Sequence, residues 1–298
     1  MRMNSLRGLI LFTALILSLV DLFGVAAIGQ EPQTAQEFFD RGNKAYDKGD
    51  YDAAIADYSE AIKLRPVAWG AFCNRGRAHF AKKNNAAAIA DFDAAISIKP
   101  DYADAFYNRG LVYLDQKEYG KTLADCKQAI LLRPGHADSH IVCGMALHST
   151  KEIDAAIREY NIAVGYDPKN ANAFGNLGDA FGEKNDHNTA IANYTKAIAI
   201  NPNLALAYAH RGLQHQYLGN HLSALADYSQ AIKLDPEDAD TYYNRALIYL
   251  ELKKRAEAVA DLRKTVELVP ENTDAKAELE RLAPSPKTVR PKSKAKRP

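Results

Sequence analysis

The stretch Ala35–Ala68, AQEFFDRGNKAYDKGDYDAAIADYSEAIKLRPVA, decides the fold, because its punctuation returns six more times along the chain. Pro66 is followed at steps of 34 residues by Pro100, Pro134, Pro168, Pro202, Pro236 and Pro270. A period of this length marks small units that bury a core only by stacking on one another. Setting each proline at position 32 gives seven units: 35–68, 69–102, 103–136, 137–170, 171–204, 205–238 and 239–272. The remaining positions then fall into columns. Position 8 is Gly42, Gly76, Gly110, Gly144, Gly178, Gly212 and Ala246, and position 20 is alanine everywhere except Thr122. Position 27 is alanine except Thr265, and position 24 is Tyr58, Phe92, Cys126, Tyr160, Tyr194, Tyr228 and Leu262. Each unit reads as two amphipathic helices around a short polar turn such as Asp47-Lys48-Gly49-Asp50. The small residues at positions 8 and 20 let the two helices approach closely, and proline stops the second helix.

These columns resemble the tetratricopeptide repeat family from Ala35 to Asn272, and Thr273–Ala283 is similar to the family's solvating end helix. The resemblance implies an all-α, right-handed superhelical solenoid of helix-turn-helix repeats. It also implies a protein-binding role through a concave groove lined by each first helix, with an extended surface.

One departure concerns charge. Position 7, usually leucine in the family, is Arg41, Arg75, Arg109, Cys143, Leu177, Arg211 and Arg245. Position 23 is Asp57, Asp91, Asp125, Glu159, Asn193, Asp227 and Asp261, so the five repeats with arginine are the five with aspartate. We read a salt bridge inside each of those five repeats, because a guanidinium fork can take a carboxylate with two hydrogen bonds.

The groove positions implied by the resemblance are 2, 5, 6, 9, 12 and 13. They supply the acids Asp40, Asp47, Asp104, Asp115, Asp138, Asp179, Glu183, Asp240 and Glu251 against one base, Arg77. Interleaved apolar candidates are Phe39, Tyr46, Phe80, Tyr107, Leu111, Leu114, Ile141, Met145, Leu213, Tyr217, Tyr243, Leu247 and Leu250. Asn74, Asn108, Asn176 and Asn244 recur at position 6, where amides can hydrogen-bond an extended backbone. The family's clamp for acidic chaperone tails is matched only at Asn43 and Asn74; Phe39, Asp104 and Asn108 replace its basic residues, so acidic tails are disfavoured. An apolar or basic segment is the expected ligand.

No catalytic motif or nucleotide loop is present, and Gly175, Gly178 and Gly182 fall inside a helix by register. No enzyme activity, cofactor or metal is expected. His136 and His140 lie four apart, but the first falls in a turn and the second at a packed position. Asn193-Tyr194-Thr195 forms a glycosylation sequon, meaningful only in a eukaryotic secretory host. Cys73, Cys126 and Cys143 form no zinc-binding pattern. Cys126 and Cys143 fall at neighbouring packed positions, and two reduced thiols are the expected state, with a disulfide as the alternative.

The ends differ from the body. Residues 1–29 combine Arg2 and Arg7 with an apolar run and small residues at Val25-Ala26-Ala27 and Ala27-Ile28-Gly29, reading as a signal peptide or else an N-terminal anchor. Residues 30–34 are a linker, 273–283 a capping helix and 284–298 a basic, proline-interrupted tail with no regular structure expected. The formal net charge is +1, yet the tail alone carries six bases, leaving a mildly acidic body. An exported protein-interaction scaffold is therefore expected, periplasmic or extracellular. The alternative is an envelope assembly factor tethered through its tail to anionic polymer, lipid or nucleic acid. The tail is also a candidate weak ligand for its own acidic groove.

Overall fold

The computed structural model describes residues 34–283; the expected signal segment, linker residues 30–33 and the basic tail lie outside the described residues. Fifteen helices and no strand occur among the described residues. They fall into two compact units, divided between Asn84 and Asn85.

The N-terminal unit holds α1 (Ala35–Asp47), α2 (Tyr51–Leu64) and α3 (Trp69–Ala81). Thr34 starts α1 with a capping box to Glu37. Its core is Ala54, Tyr58 and Ala78, walled by Phe39, Tyr46, Tyr51 and Ile55.

The C-terminal unit holds α4 (Asn85–Ile98), α5 (Ala103–Asp115), α6 (Tyr119–Leu132), α7 (Ala137–Ser149) and α8 (Ile153–Tyr166). These are followed by α9 (Ala171–Glu183), α10 (His187–Ile200), α11 (Ala205–Tyr217), α12 (His221–Leu234), α13 (Ala239–Glu251), α14 (Arg255–Leu268) and the terminal α15 (Thr273–Arg281). In this unit each first helix packs on its own second helix, and each second helix packs on the next first helix. Consecutive first helices also touch, from α5 through α7, α9 and α11 to α13. The first helices thus form one continuous face. The end helix α15 buries Ala275 against Ala246 and Leu262, closing the last repeat.

The proline column acts on the residue before it. A proline ring disfavours helical geometry in its predecessor. Position 31 accordingly closes the second helix in an extended conformation, with φ/ψ of −142°/85° at Arg133, −127°/87° at Asp167 and −130°/97° at Asn201. The other turn of each repeat has its own signature. Gly49, Lys83, Lys117, Lys151, Asn185, Gly219 and Lys253 all have positive φ, between 59° and 77°. They share position 15, the residue that lets the backbone reverse after the first helix.

The glycine column is explained by the tyrosine column. A Cβ at Gly144 would stand 2.4 Å from Tyr160 Cε1, and one at Gly178 would stand 2.5 Å from Tyr194 Cε1. Where position 24 is Cys126, a Cβ at Gly110 would meet nothing closer than Asp125 Cβ at an ordinary 3.4 Å. The buried Leu262 faces a repeat that carries Ala246 instead of glycine. Gly144→Ala should therefore cost about 1–3 kcal/mol by overpacking, beyond the roughly 1 kcal/mol that alanine gains in a helix. Gly110→Ala should be neutral or stabilising. Urea denaturation of both variants checks the difference, and equal midpoints would mean that the Tyr160 ring yields.

The arginine column does more than close each repeat on itself. Arg41, Arg109, Arg211 and Arg245 each give a forked pair of hydrogen bonds to Asp57, Asp125, Asp227 and Asp261, with Nε at 2.8–2.9 Å. Each guanidinium also lies over the aromatic ring three residues earlier, as Arg109 does over Phe106 at 5.6 Å. Its remaining nitrogen reaches position 25 of the preceding repeat: Arg109 to Asp93, Arg211 to Thr195 and Arg245 to Ser229. Arg75 makes the same reach to Ser59, at 3.0 Å. Arg75 and Asp91 belong to different compact units; Asp91 is buried, like the other aspartates of its column.

Repeat four does both jobs with other chemistry. His140 replaces the aromatic of position 4 and bonds Glu159 at 2.7 Å and the Pro134 carbonyl at 3.1 Å. Cys143, where arginine would stand, is disulfide-bonded to Cys126 of the preceding repeat. The expectation of two reduced thiols is thereby overturned: the Cα atoms stand 5.6 Å apart, within the usual bridging range. In repeat five Leu177 is buried in a cluster with Ile141 and Tyr160, and Asn193 turns its amide to its own helix at Thr189 O. Asn193 is itself buried, so the folded chain does not present the sequon.

Candidate functional site

The face formed by the first helices of repeats three to six opens into a cleft of about 390 Å³. Seven residues expected from the columns line it: Tyr107, Leu111, Asp138, Ile141, Met145, Asn176 and Asp179. It is also lined by the apolar Val142, Leu204 and Leu206 and by the polar Asn170, Asn172 and His210. Val142, Asn172, Gly175, Leu206 and His210 occupy groove positions, so the same columns could have supplied them. Leu204 and Asn170 both stand at position 34, just before their helices and outside the groove columns. Leu206 and Met145 are 66% and 38% exposed, an uncovered apolar floor.

The electrostatics are less one-sided than the count of acids and bases implies. Asp179 accepts from Tyr194 Oη at 2.6 Å and pairs with His210 Nδ1 at 2.7 Å. Burial works against the Asp179 carboxylate, but the hydrogen bonds from His210 and Tyr194 outweigh it and hold its carboxyl below the usual range. The same bond to Asp179 raises His210 above an ordinary imidazole despite its burial. Asp104 pairs with Arg133, Glu183 with His148 and Lys151, and Glu251 with His221. Asp115 accepts from the Asn85 amide at 2.9 Å. Histidines, Lys151 and the arginine before the proline thus supply these acids with partners beyond Arg77. Asp138, approached at 3.5 Å by the Asn170 amide, remains exposed at the cleft.

The amide column divides. Asn74 Nδ2 donates to Asn43 Oδ1 at 2.8 Å, and Tyr58 Oη donates to the same oxygen at 2.8 Å. Asn108 bonds back to the Asp104 carbonyl. Asn176 faces the cleft. In the N-terminal unit Arg77 lies over the Tyr46 ring at 4.8 Å, Asp40 accepts from Gln36, and Phe39 lines a separate cleft of about 280 Å³ with Trp69 and Val67. Towards the C-terminal end Tyr217 stacks on His187 at 5.0 Å and stays 63% exposed. Tyr243 packs under α15 beside Leu279. Burial, then Asp274 and Glu278, push its hydroxyl up. Asp240 is exposed, while Leu213, Asn244 and Leu247 are half-buried.

Among the described residues no cluster of three His, Cys, Asp or Glu side chains is arranged to hold a metal. His136 bonds Ser139 and His140 is held by Glu159. Among the described residues, no helix is long and apolar enough to cross a membrane.

Models of the tetratricopeptide repeat match residues 39–103, 103–136 and 239–272, and a TPR repeat model matches 178–219 and 215–253, together well over half of the chain. The chain belongs to the tetratricopeptide repeat family. No curated protein sequence matches it. Among solved structures it is similar to a chain of the APC/C hetero-tetramer Cut9–Hcn1, with a TM-score of 0.68 and 17% identity over 84% of this chain, spanning 55% of that one. A tetratricopeptide repeat protein from Parabacteroides merdae matches with a TM-score of 0.63 and 18% identity, over 84% of this chain and 99% of its own. PilF of Pseudomonas aeruginosa matches with a TM-score of 0.66 and 17% identity, over 72% and 97%. At such identities the likeness is one of fold.

Proposed function

We propose that the protein is an interaction scaffold that holds an extended polypeptide segment, carrying apolar and basic side chains, along the first helices of repeats three to seven. The uncovered apolar floor at Met145 and Leu206, with Asp138 at its mouth, is the observation that carries this reading. Apolar surface left exposed in this way marks interaction sites, and a row of packed first helices presents it continuously. The solved YrrB structure, described as having an unusual peptide-binding site, matches with a TM-score of 0.52 and 21% identity, which is consistent with peptide binding on this fold. The bridge between Cys126 and Cys143, with the basic start and apolar run of residues 1–29, supports action outside a reducing cytosol.

The test reverses two exposed groove acids of the C-terminal unit. Asp138→Lys with Asp240→Lys should weaken a fluorescent peptide of alternating lysine and leucine about tenfold at low salt. The loss should shrink at high salt, because exposed charges are screened. Unchanged affinity at low salt would sink the reading.

A further inference from the structure

Two glycines one turn apart in α9 are present for opposite reasons. Gly178 is demanded by packing, since any Cβ there would strike the Tyr194 ring. Gly175 is not: a Cβ built on it meets nothing within 4 Å. A glycine inside a helix costs roughly 1 kcal/mol relative to alanine, so Gly175 weakens α9 with no packing return. The other repeats carry Phe39, Cys73, Tyr107, Ile141, Ala209 and Tyr243 at the same position 5. The space that a side chain would take in repeat five is instead part of the cleft.

We propose that the cleft beside Gly175 is a side-chain pocket of the groove: it admits one bulky aliphatic side chain of the bound polypeptide, with a neighbouring lysine or arginine held by Asp138. This rests on the groove reading and narrows it to one anchor. The walls suit an aliphatic group, being built from Leu111, Ile141, Val142, Met145, Leu204 and Leu206. The charges fix where the cation sits. Asp179 is already matched by His210 and Tyr194, so its side of the pocket asks for no further cation. Asp138, exposed on the opposite helix, makes no ion pair among the described residues and takes the basic neighbour.

The experiment compares two peptides on the full chain by fluorescence anisotropy: alternating lysine and alanine, and the same peptide with one central leucine. The leucine peptide should bind at least about tenfold more tightly, the discrimination an apolar pocket gives to a side chain that fills it. Gly175→Leu fills the pocket from within. It should erase that preference and hold or raise the thermal midpoint, with Gly175→Ala intermediate. A leucine preference that survives Gly175→Leu would overturn the pocket while leaving the groove reading standing. Failure of both peptides on the wild-type chain would overturn the groove reading and the pocket with it. Truncation after Ala283 should move both peptides equally; a gain for the leucine peptide alone would make residues 284–298 the occupant and overturn assignment to a partner.

Discussion

Arg109→Ala is expected to destabilise the C-terminal unit by about 3–5 kcal/mol, far above the 0–1 kcal/mol of an exposed ion pair. The Asp125 side chain it would strand is only 7% exposed, and Arg109 itself 20%. Loss of the fork leaves a buried carboxylate with neither counter-charge nor donors. Arg109 also lies over Phe106 and reaches Asp93, so one truncation removes an intra-repeat clamp and an inter-repeat tie together. Asp93→Ala separates the two. That carboxylate is 53% exposed, and its removal should cost under about 1 kcal/mol. Urea denaturation of both variants, with a double-mutant cycle on Arg109 and Asp125, measures the clamp. A coupling near zero would mean that the arginine acts through packing alone.

Reduction of the bridge between Cys126 and Cys143 is the second large effect. It joins residues 17 apart in sequence, and closing a loop of that length in the unfolded chain is worth about 3 kcal/mol. Adding dithiothreitol should lower the urea midpoint by a corresponding amount, and Cys126→Ala/Cys143→Ala should no longer respond to the reductant. A wild-type midpoint indifferent to reductant would mean that the packed sulfurs hold this joint without the bond. The bridge stands where other repeats tie themselves back through arginine, so its loss should loosen repeats three and four first.

Much of this architecture was legible in the columns. Proline spacing fixed the seven units, and glycine or alanine opposite tyrosine or leucine fixed how closely the helices pack. The intra-repeat pairing of Arg109 with Asp125 followed from which repeats carried both. Its reach to position 25 did not, because Ser59, Asp93, Thr195 and Ser229 share acceptor chemistry without sharing a residue type. The groove was half legible. Its positions follow from the repeat, but the state of each acid depends on partners a full repeat away, as Asp179 does on His210 31 residues later. Gly175 was visible only as a weak point in a helix. That it opens a space appears once Ile141, Leu204 and Leu206 are placed around it. The thiol state turned on chemistry that position alone does not specify.

The turn column at position 15 was invisible for a thermodynamic reason. A non-glycine residue held at positive φ costs about 1–2 kcal/mol in the folded chain. Glycine escapes that cost but gives the unfolded chain more freedom, worth roughly 0.4–1 kcal/mol, while a lysine at a helix C-terminus recovers about 0.3–1 kcal/mol from the helix dipole. These contributions nearly cancel, so glycine, lysine and asparagine exchange there almost freely. For anyone handling the molecule the column is a ready-made scale. Lys117 and Lys151 mark consecutive repeats of the C-terminal unit with primary amines at one fixed point of the fold, and Asn185, Gly219 and Lys253 continue the series. Probes attached along it would report the spacing from repeat to repeat as a partner fills the groove.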